Sequence, residues 1–129
     1  MKETLKIANF IINKLNQQHL PITSRTLGNL LYLIAGNYYL KYRQLLFKER
    51  FYRLGVGYQL NTLEQAFDTH APRLKPTKTV TQLTANQSQF VNKQLTAIDN
   101  YSYNRLAYQC AQVHKKLAAS KLKLSLLEK

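Results

Sequence analysis

The sequence is poor in cysteine and lacks long apolar runs, and both shortages narrow the class of protein. Its single cysteine, Cys110, excludes an intramolecular disulfide and indicates a reducing compartment. The longest apolar run, residues 30–35, is far shorter than the roughly 20 residues of a membrane span. No secretory signal is recognisable, because Glu3 is acidic and the apolar positions after it are periodic. We therefore expect a soluble, cytoplasmic protein without membrane contact, forming a single domain over residues 1–129.

Acidic residues are also scarce, which leaves a large positive charge. The chain has 19 Lys and Arg against 6 Asp and Glu, for a formal net charge of +13. Such an excess predicts attraction to polyanions and, less specifically, to acidic protein partners. The plainer alternative is a basic surface that only maintains solubility. No run of five or more like charges occurs, so the charge should belong to a folded surface and not to a disordered tail.

Catalytic and metal motifs are weak. Cys110 and His114 have the spacing of half a zinc site, but no second Cys/His pair exists. Glu64, Asp68 and His70 resemble a solvated helix face more than a set of ligands. Cys110 falls on an apolar helical stripe and is interpreted as a core residue. No glycine-rich phosphate loop is present. We expect no catalysis, no metal and no cofactor.

Apolar periodicity predicts a mainly α protein of about five helices. The predicted helices cover residues 4–18, a segment from Thr23 or Ser24 to about Tyr42, residues 58–69, residues 87–99, and a last helix opened by Ser102 or Asn104. Gly28 and Gly36 lie inside the second helix, where each costs about 1 kcal/mol relative to alanine. They indicate either close approach of another element or a tolerated defect.

The remaining segments are predicted to be less regular. Aromatic residues followed by Gly55 and Gly57 favour a small β-ribbon near residues 44–56. Residues 70–85 form a long basic loop, and a connection of that length is usually functional or mobile. Residues 120–129 are a C-terminal extension that is either a strand or a continued helix.

Three basic clusters are the candidate binding residues. Tyrosine rings can stack on unpaired bases or pack against guanidinium groups, and lysine and arginine neutralise phosphates. The alternative is that the aromatic residues pack in the core and the charges only border them. The candidates are Lys41, Tyr42, Arg43, Lys48, Arg50, Tyr52 and Arg53 in the first cluster, Arg73, Lys75 and Lys78 in the second, and Lys115 and Lys116 in the third.

Residues 5–60 resemble the Panacea (SocA-like) antitoxin domain family. That family opens with an apolar helix and a Pro-Ile/Leu-Thr entry, here Pro21-Ile22-Thr23. A helix with a Leu-Leu-Tyr…Gly-x-Tyr pattern follows, here Leu30-Leu31-Tyr32 and Gly36-Asn37-Tyr38. Leu45-Leu46-Phe47 and Gly55-Val56 match its later motifs, although Tyr52 replaces a tryptophan and the proline after the glycine is missing. A Thr-His motif of the family's final helix is missing too, and Cys110-Ala111 stands at about its place.

The resemblance implies a small helical module that neutralises a partner toxin by binding it, without catalysis. Our first hypothesis is accordingly an antitoxin-like inhibitor from a phage or mobile element, with a protein partner such as a toxin or a host defence complex. The alternative is a binder of RNA or DNA, or an inhibitor of a host nucleic-acid-guided defence nuclease of the anti-CRISPR type. The oligomeric state is open.

Overall fold

The computed structural model describes residues 3–77 and 82–120. Over these residues the chain is mainly helical, as predicted, with five helices and one two-stranded antiparallel sheet. None of the described helices is both long enough and apolar enough to cross a membrane. The elements are α1 (Glu3–Gln17), α2 (Ser24–Tyr42), β1 (Tyr52–Leu54), β2 (Gly57–Gln59), α3 (Asn61–Ala66), α4 (Ala85–Ala97) and α5 (Tyr103–Ala119).

Helix α2 is the central element of the fold. Thr23, one of the two predicted caps, begins it, because its hydroxyl accepts a hydrogen bond from the backbone N–H of Thr26. Every residue from 26 to 36 is buried, so this segment is enclosed on all sides. It belongs to one hydrophobic cluster with residues from the other four helices, such as Ile7, Leu63, Phe90 and Leu106.

Gly28 and Gly36 mark where two other elements approach α2. A Cβ on Gly28 would collide with the backbone carbonyl oxygen of Tyr58 in β2, and one on Gly36 would collide with Cγ1 of Val113 in α5. Of the two interpretations of these glycines, close approach is therefore confirmed. The sheet and α5 pack on α2 at distances that only glycine permits.

Helices α2 and α5 run in the same direction. Near the start of the pair, the side-chain amide of Asn29 bonds to the carbonyl oxygen of Tyr103. Further along, Gly36 lies beside Val113 and Leu117. Because contacts advance together along both helices, their C-terminal ends lie at the same end of the molecule.

The small β-ribbon predicted near residues 44–56 is confirmed, and it begins and ends a few residues later in the chain. Residues 44–50 are irregular, and the hairpin consists of β1 and β2, with Tyr52 opposite Gln59 and Leu54 opposite Gly57. The predicted helix 58–69 was wrong at both ends, because residues 57–59 are strand and α3 ends at Ala66. All three residues of β2 are buried, so the strand shows no alternation of burial that would distinguish it from a helix.

The described part of the 70–85 loop is hydrogen bonded to α1. The Asn9 amide donates to the Thr77 hydroxyl (2.7 Å) and accepts from the Thr77 N–H (3.0 Å). The Asn16 amide donates to the Leu74 carbonyl (3.1 Å), and the Leu74 N–H donates to the Ile22 carbonyl (3.1 Å). Lys78 and the C-terminal extension beyond residue 120 lie outside the described residues.

The last two helices begin at side-chain caps. Thr84 and Gln87 form a reciprocal capping box at the start of α4, which covers Ala85–Ala97 where residues 87–99 were predicted. Ser102, one of the two predicted candidates, caps α5 by accepting from the N–H of Arg105. These caps fix the residues at which α4 and α5 begin.

Candidate basic and aromatic interface

The basic residues of segment 41–53 project from the surface. The five cations of the segment and the ring of Tyr42 are exposed, whereas Tyr52 is half-buried and its hydroxyl donates to Glu64 (3.1 Å). Tyr42 is 45% exposed, which is high for a tyrosine that also contacts other rings. The exposed cations are Lys41, Arg43, Lys48, Arg50 and Arg53.

The end of α2 is sharply defined. Arg43 adopts a left-handed conformation (φ 57°), and its N–H donates to the carbonyl oxygen of Tyr39 at 2.9 Å. Lys41 lies in the last turn, where the partial negative charge of the helix end favours a cation. The left-handed cap therefore ends the helix directly after the Lys41-Tyr42 pair.

A cleft of about 380 Å³ opens between this end of α2 and the first half of α4. We call it the α2–α4 cleft. Its lining combines aromatic rings, lysines and carboxamides, and none of the described residues in it is acidic. The lining residues are Tyr38, Lys41, Tyr42, Gln44, Asn86, Gln89, Phe90 and Lys93.

Three aromatic rings form the apolar part of the cleft. Phe90 is 8% exposed and meets Tyr38 edge-on, with ring centroids 5.1 Å apart. Tyr42 lies 4.8 Å from Tyr38 and 5.9 Å from Phe90, measured between centroids. The ring of Tyr42 thus contacts two aromatic neighbours within the protein, Lys41 Nζ lies over it at 5.3 Å from the centroid, and the residue is still partly exposed.

Arg53, also a candidate, is tied into the fold. Its guanidinium carbon lies 4.7 Å from the centroid of the Tyr58 ring, and its Nη1 donates to the Tyr58 hydroxyl at 2.9 Å. Tyr58 stacks on Tyr32, whose hydroxyl is hydrogen bonded to Nδ1 of His114 at 3.1 Å. Burial raises the pKa of both tyrosines, so both rings stay neutral. Arg53 therefore contributes to packing as well as to surface charge.

Cys110 is a core residue, as expected from its position on the apolar stripe. It is fully buried, and its thiol donates to the carbonyl oxygen of Asn29 at 3.0 Å. Burial raises the pKa of this thiol to about 12. The thiolate form that a nucleophile or a zinc ligand needs is therefore disfavoured.

Several acidic side chains are engaged by hydrogen bonds within the described chain. Glu49, the one acid of segment 41–53, accepts hydrogen bonds from the hydroxyls of Thr4 (2.9 Å) and Thr62 (2.5 Å) and from the N–H of Thr62 (3.0 Å). Within residues 3–77 and 82–120, the one ion pair joins Lys6 to Glu3. The described cations of the three candidate clusters, which leave out Lys78, therefore project without a carboxylate partner in the described chain.

The three clusters do not form one patch. Arg73 and Lys75 flank Leu74, which bonds to Ile22 just before α2 begins. Lys41 lies near the other end of that helix, a distance of roughly 28 Å for 19 residues. Because α2 and α5 are parallel, Lys115 and Lys116 lie at the same end as Lys41. Lys41 of the first cluster and the third cluster therefore share one end of the molecule, and the described part of the second cluster is remote.

Sequence reasoning missed the contribution of α4 to the site. Asn86, Gln89 and Lys93 recur at three- and four-residue spacing on one face of that helix, together with Phe90. The spacing is visible in the sequence, but nothing in it shows that this face meets the end of α2. Over the residues that the structure describes, no three His, Cys, Asp or Glu side chains converge on a position that could hold a metal ion.

The protein was compared with protein-family models, with curated proteins and with solved structures, and nothing matches in any of the three.

Proposed function

We propose that this chain is a non-enzymatic, antitoxin-like binding protein of a phage or mobile element, which neutralises a protein partner by stoichiometric occlusion. One observation carries the proposal: the described cations of the three clusters project without ion pairs, while Glu49 and Glu64 accept hydrogen bonds inside the fold. The Panacea-like pattern supports the same function, because members of that family act by binding toxins. A surface of this kind is complementary to an acidic protein face.

The distribution of acids supports this interpretation. Glu49 holds the start of α3, Glu64 accepts from the hydroxyl of Tyr52 at 3.1 Å, and Asp68 accepts from the N–H of His70 at 2.9 Å. These carboxylates satisfy local donors and leave the neighbouring lysines and arginines to the solvent. Electrostatic complementarity would then speed association with an acidic partner and select against basic ones.

The non-enzymatic part of the proposal is supported by the state of the Cys110–His114 pair. The thiol of Cys110 is buried against Asn29, and Nδ1 of His114 is engaged by Tyr32. The two side chains thus serve separate hydrogen bonds within the fold, and neither is positioned to activate the other.

Exposed tyrosines supply anchors for a partner. Tyr108 on α5 is 57% exposed, and the guanidinium carbon of Arg105 lies 5.6 Å from its ring centroid. Tyr42 is exposed at the end of α2, where Lys41 lies over its ring at 5.3 Å. Tyrosine and arginine are among the residue types that dominate interface energetics.

The test is co-expression of the tagged chain with the product of the adjacent gene. We expect rescue of growth and a complex of fixed stoichiometry, measured by size-exclusion chromatography with light scattering. Reversing Lys115 and Lys116 to glutamate should weaken the complex at least tenfold, because both lie at the same end of the molecule as Lys41 and the exposed ring of Tyr42. Reversing Arg73 and Lys75, which are equally exposed but at the remote end, is the matched control.

Two results would contradict the proposal. One is a chain that stays solitary in its native host and in co-expression, with no rescue of growth. The other is an equal loss of affinity in both charge-reversal variants. Affinity would then depend on the total charge of the chain and not on the position of Lys115 and Lys116. Circular dichroism of each variant would show that the fold is retained.

A further inference from the structure

We propose that the α2–α4 cleft binds single-stranded nucleic acid, with one unpaired base stacked on Tyr42 and the adjoining phosphates held by Lys41 and Lys93. This inference is independent of partner neutralisation. It rests on three properties of the cleft that occur together: a supported aromatic surface, two lysines without a carboxylate partner in the described chain, and a row of carboxamides.

The aromatic surface is preorganised for stacking. Tyr38 and Phe90 contact the ring of Tyr42 from within the protein, with centroids 4.8 and 5.9 Å away. Tyr42 is nevertheless 45% exposed to solvent. A base that stacks on a ring already held in place loses less free energy to side-chain ordering than one that stacks on a mobile ring.

The two cations line the cleft from its two helices. Lys41 belongs to the last turn of α2, and its Nζ lies 5.3 Å from the centroid of Tyr42. Lys93 is exposed on α4 and lines the opposite wall. Neither lysine pairs with a carboxylate of the described chain. The described residues that line the cleft include no aspartate or glutamate. A phosphate can therefore approach either lysine without displacing an ion pair.

The carboxamides add hydrogen-bonding capacity for a base edge. Gln44 contributes from the chain after α2, and Asn86 and Gln89 contribute from α4. Each side chain offers donors and an acceptor, so together they can bond to the exposed edge of an unpaired base.

The shape of the cleft favours a single strand over a duplex. A volume of about 380 Å³ lies at the lower end of ligand pockets, which span roughly 300–1,000 Å³. The cleft is recessed between two helices, so a base must leave its own stack to enter it. In a duplex the bases are already stacked and paired, whereas in a single strand they can be splayed out at little cost.

The experiment measures binding of the full chain to fluorescein-labelled 12-nucleotide oligo(U) and oligo(dT) by fluorescence anisotropy. A duplex of equal length, a polyglutamate peptide and unlabelled UMP serve as competitors. We expect binding of the single strands that weakens steeply between about 50 and 200 mM salt. Tyr42→Ala should weaken it about tenfold, since stacking on one aromatic side chain has that magnitude.

Tyr108→Ala is the matched control. Tyr108 is also an exposed tyrosine with a cation over its ring, but it lies on α5 and does not line the cleft. It should leave binding unchanged. Because Tyr42 also packs on Phe90, a second variant, Lys93→Gln, tests the same site without altering ring packing. It should lower the slope of log affinity against log salt by about 0.7, the amount for one phosphate on a single strand.

Several outcomes would overturn the proposal. These are no binding at 50 mM salt, equal losses for Tyr42→Ala and Tyr108→Ala, or unchanged binding and salt slope in Lys93→Gln. Displacement by the duplex or by polyglutamate as effective as by the strand would indicate a general polyanion or acidic-protein surface. Displacement by UMP at the same concentration as by the strand would indicate a nucleotide site instead. Formation of a protein complex in the Tyr42→Ala variant is a separate measurement, so the two proposals can fail independently.

Discussion

The rings of Tyr32 and Tyr58 stack face to face, with centroids 3.7 Å apart and planes 4° from parallel. Tyr32 belongs to α2 and Tyr58 to β2, and Phe51 meets Tyr32 edge-on at 5.1 Å. The side-chain oxygen of Asn29 also accepts from the N–H of Tyr58 at 2.8 Å. An isolated two-stranded hairpin is marginal in water. Here it is stabilised by α2, against which its second strand is entirely buried.

Tyr32→Phe removes one hydroxyl from this stack and should lower the free energy of unfolding by about 1 kcal/mol. The reason is the loss of the hydrogen bond to Nδ1 of His114. Tyr58→Ala should cost more, about 3 kcal/mol or above, because it removes a buried ring. Urea denaturation measures both. Tyr108→Phe, at an exposed position, should change stability by less than about 0.5 kcal/mol. If Tyr32→Phe left the free energy of unfolding unchanged, the contact with His114 would give no net stabilisation.

Gly36→Ala should be destabilising by about 1–3 kcal/mol despite the better helix propensity of alanine, because the new methyl meets Val113. Val113 presents a side chain to this position, so Val113→Ala should restore part of the loss. A double-mutant cycle should therefore give a favourable coupling of at least about 0.5 kcal/mol.

Gly28→Ala is the comparison case for Gly36. Its methyl would meet the backbone carbonyl of Tyr58, which no side-chain substitution removes. A rescue of Gly28→Ala by Val113→Ala would contradict the local steric explanation, since Val113 is the neighbour of Gly36.

Glu49→Ala should destabilise the protein by about 2 kcal/mol, because three donors from Thr4 and Thr62 lose their acceptor. Glu49→Gln keeps the shape and one acceptor oxygen and should cost less. Chemical denaturation of the two variants separates them. Lys48→Ala, at the exposed neighbouring position, serves as the control and should be close to neutral. Equal losses for Glu49→Ala and Glu49→Gln would indicate that the charge, and not the acceptor count, matters.

Stability should fall as the pH rises from about 9 toward 12. Burial raises the pKa of the Cys110 thiol to about 12, whereas an unfolded cysteine titrates near 8.5. In that window the folded state binds more protons than the unfolded state, so the free energy of unfolding decreases with increasing pH. The stabilisation from this group is complete below the unfolded pKa and is lost as the pH approaches the folded one.

Cys110→Ala isolates the contribution of the thiol. Urea midpoints at pH 8, 9.5 and 10.5 should decline less steeply in this variant than in the parent chain, and comparison at each pH cancels the titration of lysines. The native thiol should also react with a thiol reagent at pH 8 only at the rate of unfolding. Rapid modification of the native protein would mean that Cys110 is accessible.

The parts of the fold that the sequence predicts well are those with a long, one-sided pattern. The boundaries of α1 and α2, the cap at Thr23 and the burial of Cys110 follow from periodicity and capping chemistry. The ribbon predicted near residues 44–56 contains β1 but stops before β2, for a physical reason. Leu46 and Phe47 are buried although they belong to an irregular segment, and β2 is buried on both faces. Neither stretch of sequence therefore shows the alternation of burial that is typical of a half-exposed strand.

The candidate site divides in the same way. Lys41 and Tyr42 were identifiable because basic and aromatic residues adjoin each other in the chain. Lys93 and Asn86 were not, because their role depends on α4 packing against the end of α2, some 45–50 residues earlier in the sequence. Arg53 was assigned to the same surface as Lys41, yet its cation lies on Tyr58 in the hairpin. Local composition identifies residue types, whereas tertiary contacts decide which of them share a cleft.

The parallel arrangement of α2 and α5 has a consequence for how the chain folds. The contacts that join the two helices connect residues 74, 81 and 82 positions apart. Closing a loop of that length costs chain entropy before the contacts can form, and folding slows as contacts become more distant in sequence. We therefore expect this protein to fold more slowly than a helical bundle whose neighbours are consecutive. The loop that must close to bring α2 and α5 together contains the hairpin, α3 and α4.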